Sequence, residues 1–315
     1  MRLIHVMTAT PLVIVLAGCG GAADGSAAPG RSARNVAHDA TQAPSPQAKS
    51  TETKATQAEA AQAPAPGVRI PTDPVKLAGT LKKTTAALNE AIDGWTKGSQ
   101  ERPPQDVVLL ALHQQRIYRA MARSTALAQG TIRRLPGPTA AEARDNVTAI
   151  GKLLSLARPI SAAQRKRMRL VEPLPAKRLR DYMVRAEKRF GVEWEVLAAI
   201  MLVETKFGRV RSASSAGAQG AMQFMPGTWR QYGLGGDVHN ARDAVLGAAN
   251  YLKASGAPRD YRRAVFAYNH DSRYVDAVLA HARQIKRDSR SFYAYYNWQV
   301  FVLSTKGDVR LTGPR

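Results

Sequence analysis

The chain has 315 residues, 46 lysines and arginines against 24 aspartates and glutamates, a formal charge of +22 and one cysteine. That length allows one or two domains with cores of their own. A lone cysteine excludes an internal disulfide and a thiolate zinc site, and the excess positive charge points to polyanionic surroundings.

The first stretch, MRLIHVMTATPLVIVLAGCG, reads as a signal peptide over residues 1–18. A basic start at Arg2 precedes an apolar centre from Pro11 to Leu16, then small residues. That run is too short to span a bilayer, and no later stretch is long and apolar enough. LAGC, Leu16–Cys19, resembles the lipobox of bacterial lipoproteins, which implies cleavage before Cys19 and its acylation. Two or three acyl chains hold a protein at a membrane where one does not. The alternative is an ordinary signal peptide with an incidental cysteine. Residues 19–72 are expected to be a disordered tether. ATQAPSPQAKSTETKATQAEAAQAPAPG, for example, contains no large apolar residue to offset the entropy of ordering.

From about residue 73 the spacing is helical. Leu77, Leu81, Leu88 and Ile92 form one stripe. Val108, Leu112, Ile117 and Met121 form a second, and Val147, Ile150 and Leu154 a third, with RLPGPT breaking the second from the third. These predict a small helical subdomain over 73–170, without a chemical motif, as a spacer or docking element. The basic run RKRMRL, Arg165–Leu170, continues through AKRLRDYMVRAEKRF. It reads either as a solvated helix face or as a surface for polyanions. For an exported chain those are anionic lipid head groups or anionic wall polymers rather than nucleic acid.

After VEPLPA the pattern predicts a mostly α domain over 171–290. Leu179, Met183, Ala186 and Phe190 mark a helix closed by Gly191. A helix over 193–207 closed by Gly208 follows, then a glycine-rich loop. Asn240 is the N-cap of a helix to about Ser255, and two more helices cover 259–268 and 272–287. In the last segment, 291–315, WQVFVLSTKGDVRL predicts two short strands around a Lys-Gly-Asp turn.

Glu204 closes the apolar run LAAIMLVE and shares a helix face with Leu197, Ile200, Met201 and Phe207. Two readings follow from this spacing. The carboxyl is desolvated, stays protonated near neutral pH and serves as a general acid, or it leans to water at the helix end beside Lys206. The following SSAGAQGAMQFMPGTW carries three glycines and a proline among polar and methionine residues. Gly217 and Gly220 allow close backbone approach to a ligand, and an apolar lining with a few polar groups suits a sugar with amide substituents. His113, His239, His270 and His281 show no metal-ligand spacing, so neither a metal nor a cofactor is expected.

Together ETKFG, Ser214, GAQGAMQFMPGTW and AYN at 267–269 resemble the lytic transglycosylase family, whose domain has a goose-type-lysozyme-like fold. The likeness covers roughly 180–285, and YGLGGDVHNARDAVLGAANYL resembles its B-type, membrane-bound branch. The resemblance implies a lysozyme-like α domain, preceded by the small helical subdomain and tether and followed by the short hairpin. It implies that Glu204 is the catalytic acid/base and that Ser214 contacts an N-acetyl group. Met222 and Gln223 would line the cleft, Gln223 donating to the glycan, and Tyr268 and Asn269 would close it. The substrate implied is the peptidoglycan strand, cut between N-acetylmuramic acid and N-acetylglucosamine to leave a 1,6-anhydro ring. Thr205, Ala221 and His270-Asp271 depart from the common pattern; the last bears on substrate fit near Asn269. A hydrolase on the same fold would need a second carboxylate, with Asp237 and Asp271 open as candidates, while Asp243 reads as a helix-start residue and Asp276 as solvated. A third reading is an inactive wall-binding lipoprotein. The aromatics of FYAYYNWQVF, Phe292–Phe301, alternate as in a strand and either pack the tail or stack on sugar rings.

Overall fold

The computed structural model describes residues 63–313. The expected signal peptide, the lipidation at Cys19 and most of the expected tether lie outside the described residues. Residues 63–72 do not stand apart: Arg116 donates to the carbonyls of Pro66 (3.1 Å) and Val68 (2.7 Å), and Ile70 packs on the core.

Among the described residues twelve helices precede one two-stranded sheet. Helix α1 (Pro74–Lys97) starts where Asp73 accepts the amide of Lys76 and Pro74 takes the first turn, and it buries Leu77, Leu81, Leu88 and Ile92. It packs on α2 (Gln105–Ala122), which packs in turn on α4 (Gly137–Leu156). Two short helices lie where the sequence suggested only breaks or charge. They are α3 (Thr125–Ile132), capped by Ser124, and α5 (Ala162–Arg167), opened by a Ser161–Gln164 capping box.

Helix α6 (Ala176–Phe190) ends at Gly191, whose φ of 72° is the left-handed cap expected from the sequence. It presents Lys177, Arg178, Arg185, Lys188 and Arg189 to solvent. Helix α7 (Trp194–Thr205) is buried nearly all round, the mark of a central helix rather than a two-faced one. Beyond it come α8 (Pro226–Tyr232), α9 (Ala241–Ala254), α10 (Tyr261–Tyr268) and α11 (Ser272–Arg287). Asn240 caps α9 by accepting the amides of Arg242 and Asp243.

Helix α11 packs on α7 and also on α4, so the helices before residue 170 lie directly on those after it, and residues 63–313 fall in one compact unit. Ala149 of α4 meets Ala277 and Ala280 of α11, small side chains that let the helices approach. Asp145 of α4 holds both Arg283 (2.5 Å) and Arg287 (2.8 Å) of α11.

The aromatic tail begins as a helix, α12 (Arg290–Tyr296), not as a strand. Phe292, Tyr295 and Tyr296 are buried at a three-and-four spacing, which is helical and overrides the apparent alternation. Phe292 packs edge-on against Trp194 and Phe207 with ring centres 5.6 and 5.4 Å apart, and Tyr295 donates to Asn146 (2.7 Å). Strands β1 (Val300–Ser304) and β2 (Gly307–Leu311) then pair antiparallel, Val300 with Leu311 and Ser304 with Gly307. Their inner face meets Ile160, Met168, Leu170 and Val210.

Candidate active site

Glu204 lies in the last turn of α7 and is 7% exposed. Because α7 has no solvent face, its carboxyl is held among protein groups instead of leaning to water. One neighbour is Tyr274 of α11, whose hydroxyl donates to Glu204 Oε1 at 2.6 Å. Burial pushes the carboxyl up to about 8, against smaller downward pulls from the Tyr274 hydrogen bond and the Lys206 charge. No second carboxylate figures among these influences. Glu204 therefore holds its proton at neutral pH.

The helix stops one residue later. Lys206 and Phe207 take left-handed φ values of 52° and 60°, so the chain turns before the expected Gly208. Thr205 stabilises the turn and ties it to the loop: its hydroxyl accepts the Gly208 amide (2.9 Å) and donates to the Ala221 carbonyl (2.6 Å). The departure at Thr205 thus keeps a hydroxyl that serves two segments.

The glycine-rich loop is a tight turn pinned at both ends. Ser214 Oγ accepts the Ala218 amide (2.9 Å), and the Ser214 carbonyl accepts the Gly217 amide (2.9 Å). Gln219 and Phe224 exchange both backbone hydrogen bonds, which leaves residues 220–223 as the tip. Gly220 has a φ of 73°, and a Cβ there would lie 2.0 Å from the Val238 carbonyl oxygen, so no other residue fits without movement. Gln223, itself at φ 50°, donates its side-chain amide to the Gly220 carbonyl at 3.0 Å. Its Oε1 is buried with no partner among the described residues. Gln223 therefore keeps an unpaired acceptor and, since its amide nitrogen carries two N–H groups, one donor beyond the Gly220 bond.

Buried Met222 connects the loop to the AYN segment, because its carbonyl accepts the Tyr268 hydroxyl at 2.6 Å. Tyr251 fixes the same segment from α9 by donating to the Ala267 carbonyl (2.6 Å). Asn269, buried, is the C-cap residue of α10. Glu204 acts electrostatically on both Tyr268 and Tyr274, raising their hydroxyl values further above those already set by burial. Glu204, the 220–223 tip and Tyr268 thus form one connected cluster through Thr205, Ala221 and Met222. Ser214 and Gly217 shape the turn that opens the loop. Tyr274 was not legible as a partner: it is 70 positions from Glu204, and nothing local marks it.

The other acids are engaged elsewhere. Asp271 caps α11 and is held by Arg273, which keeps its carboxyl below the usual range. Asp237 Oδ1 accepts the His239 amide (2.9 Å), Asp243 accepts the Asp237 amide, and Asp276 pairs with Arg262 and Lys152. His113 bonds Thr84 in the core, and His281 is a neutral buried ring pushed down to about 3, packed on Tyr295 and Trp298. Among the described residues no cluster of acids, histidines or cysteines could hold a metal, and no helix is long and apolar enough to cross a membrane.

Residues 181–289, from α6 to just past α11, match the family model described as the transglycosylase SLT domain. Over 74 residues the chain is 35% identical to the membrane-bound lytic murein transglycosylase F of Thiobacillus denitrificans, a stretch that is 24% of this chain and 15% of that protein. No solved structure matches. The fold is accordingly mainly α, a lysozyme-like SLT domain with additional helices before it and a short antiparallel hairpin behind it.

Proposed function

We propose that this protein is a peptidoglycan lytic transglycosylase with Glu204 as its single general acid/base. The observation that carries the proposal is a buried, neutral carboxyl at the end of α7, hydrogen-bonded by Tyr274 and influenced by no second carboxylate. A hydrolase of the usual kind sets two carboxylates about the scissile bond. Here Asp271 is committed to Arg273 and Asp237 to its own turn.

With one carboxyl the reaction closes on itself. Glu204 gives its proton to the oxygen linking muramyl C1 to the glucosamine, and that C–O bond breaks. The muramyl N-acetyl group stabilises the cationic carbon. The Glu204 carboxylate then takes the proton of the muramyl 6-hydroxyl as its oxygen bonds to C1. A 1,6-anhydro end forms, no water is consumed and the acid is restored. Burial favours the first step by keeping the proton on Glu204, while Tyr274 and Lys206 favour the anion between the two steps. Ser214, Met222, Gln223, Tyr268 and Asn269 would hold the glycan, Gln223 by donating the second N–H of its side-chain amide. We assign the chain to the B-type branch on residues 232–252. We place it in the cell envelope, held by acylated Cys19, with the basic face of α6 toward anionic wall polymers or lipid head groups.

Mass spectrometry of the products from purified peptidoglycan tests the reaction. Wild-type protein should release anhydro-ended muropeptides and Glu204→Gln none. Reducing ends would establish hydrolysis instead, and wall binding without release would leave only a binding protein.

A further inference from the structure

A cavity of about 130 Å³ adjoins the C-terminal end of α7. Leu153 and Leu154 of α4 and Val300 and Val302 of β1 form its apolar walls, and Glu204 and Lys206 line it from α7. None of Ser214, Met222, Gln223, Tyr268 or Asn269 lines it, so it is separate from the glycine-rich loop. Most of its wall also lies outside residues 181–289, in the added helices and the hairpin. A cavity of about 150 Å³ is enough to admit benzene, so a short branched group fits.

The charge in this cavity is unbalanced. Lys206 Nζ donates to the Leu202 carbonyl at 2.8 Å, which leaves two of its three donors. It makes no ion pair among the described residues, and the protonated Glu204 does not neutralise it. Arg119, also lining the cavity, is already bound to Asp308 (2.7 Å), and Asp308 must serve Arg123 as well. Cations therefore exceed anions around an apolar recess.

We infer that this cavity binds a carboxylate carried on a short apolar stem, with Lys206 as its counter-ion and Leu153, Leu154 and Val302 against the stem. The inference rests on the proposed function, because the muramyl residue carries such a group. Its lactyl ether ends in a free carboxylate on peptide-free strands and in an amide to the stem peptide elsewhere. The added helices and hairpin then supply a specificity wall that distinguishes muramyl from plain glucosamine polymers, and Lys206 binds substrate in addition to its charge effect on Glu204.

Calorimetric binding to the full chain carrying Glu204→Gln, which prevents turnover, tests this against peptide-free glycan, peptide-bearing glycan and neutral chitin oligomers. Adding Lys206→Met should weaken binding of peptide-free glycan by about tenfold or more. It should leave chitin binding unchanged, and Lys206→Arg should restore most of the loss. A selective loss for the peptide-bearing glycan alone supports the same site with the stem-peptide carboxylate as its ligand. Equal losses on all three glycans, or none, overturn the inference. Leu153→Trp, which fills the recess without touching the charge, should reproduce the selective loss; unchanged affinity in that folded variant also overturns it. Anhydro products from wild type with Lys206-independent binding remove this inference alone. Carboxylate-selective binding without anhydro products removes the proposed reaction alone.

Discussion

Glu204→Gln should stabilise the protein, and by an amount that depends on pH. Glutamine keeps the side-chain shape and an oxygen that can accept from Tyr274, but it cannot ionise. The wild-type carboxyl rises from its ordinary 4.5 to about 8 on folding. At about 1.36 kcal/mol per pH unit, full ionisation of Glu204 costs the folded state ~5 kcal/mol. Below about pH 4.5 the group is protonated in both states and the substitution is nearly neutral. Above that value the unfolded chain releases a proton that the folded chain keeps, so wild-type stability falls as pH rises, and the loss is complete above about 8. Burial lowers Lys206 to about 8; that desolvation is common to both proteins and cancels to first order. Urea denaturation of the pair at about pH 5 and about pH 8 should show the variant's advantage growing by ~3–4 kcal/mol. A difference that stays constant over this range would mean that Glu204 ionises normally, and the account of a desolvated acid would fail.

Three further outcomes follow from named contacts. The proposed reaction requires protonated Glu204, so kcat/KM should fall as pH rises through about 8; Tyr274→Phe removes a hydrogen bond that favours the anion and should move this fall to higher pH. Gly220→Ala sets a Cβ 2.0 Å from the Val238 carbonyl at a φ of 73° and should cost at least ~2 kcal/mol, measured as a lowered Tm, whereas Gly217→Ala meets no atom within 4 Å and should cost only ~1 kcal/mol for its left-handed φ. Asp145→Ala leaves Arg283 and Arg287 without their anion; both guanidiniums reach water, so the loss should be ~1–2 kcal/mol in denaturant titrations rather than that of a fully buried pair.

The long elements were legible because their signals are local. The leucine stripe of α1, Gly191 after α6 and Asn240 before α9 each place a helix or its end within a few residues. Helices α3, α5, α8 and α12 were missed because six to eight residues carry too few turns for a clear period. The stop after Thr205 was put at Gly208, yet Lys206 and Phe207 accept left-handed backbone because Thr205 bonds on both sides of the turn. For the site, the apolar spacing identified Glu204 as awkwardly placed but could not separate burial from exposure; the all-round burial of α7 decides that. Tyr274, Thr205 as a brace and the Lys206 recess depend on contacts across the chain, which no window of sequence contains.

Order of synthesis runs against this architecture. Helices α1, α2 and α4 are made well before much of their cover. Asn146 waits for Tyr295, 149 positions later, and the Gln115 side chain exchanges two hydrogen bonds with the backbone of Gln299, 184 positions later. A nascent chain that ends before α11 therefore carries a ready-made apolar face with nothing to put on it. Contacts so far apart slow folding and prolong exposure to aggregation. The early helices can form but not settle until the hairpin, made after all twelve described helices, completes the wall beside Glu204.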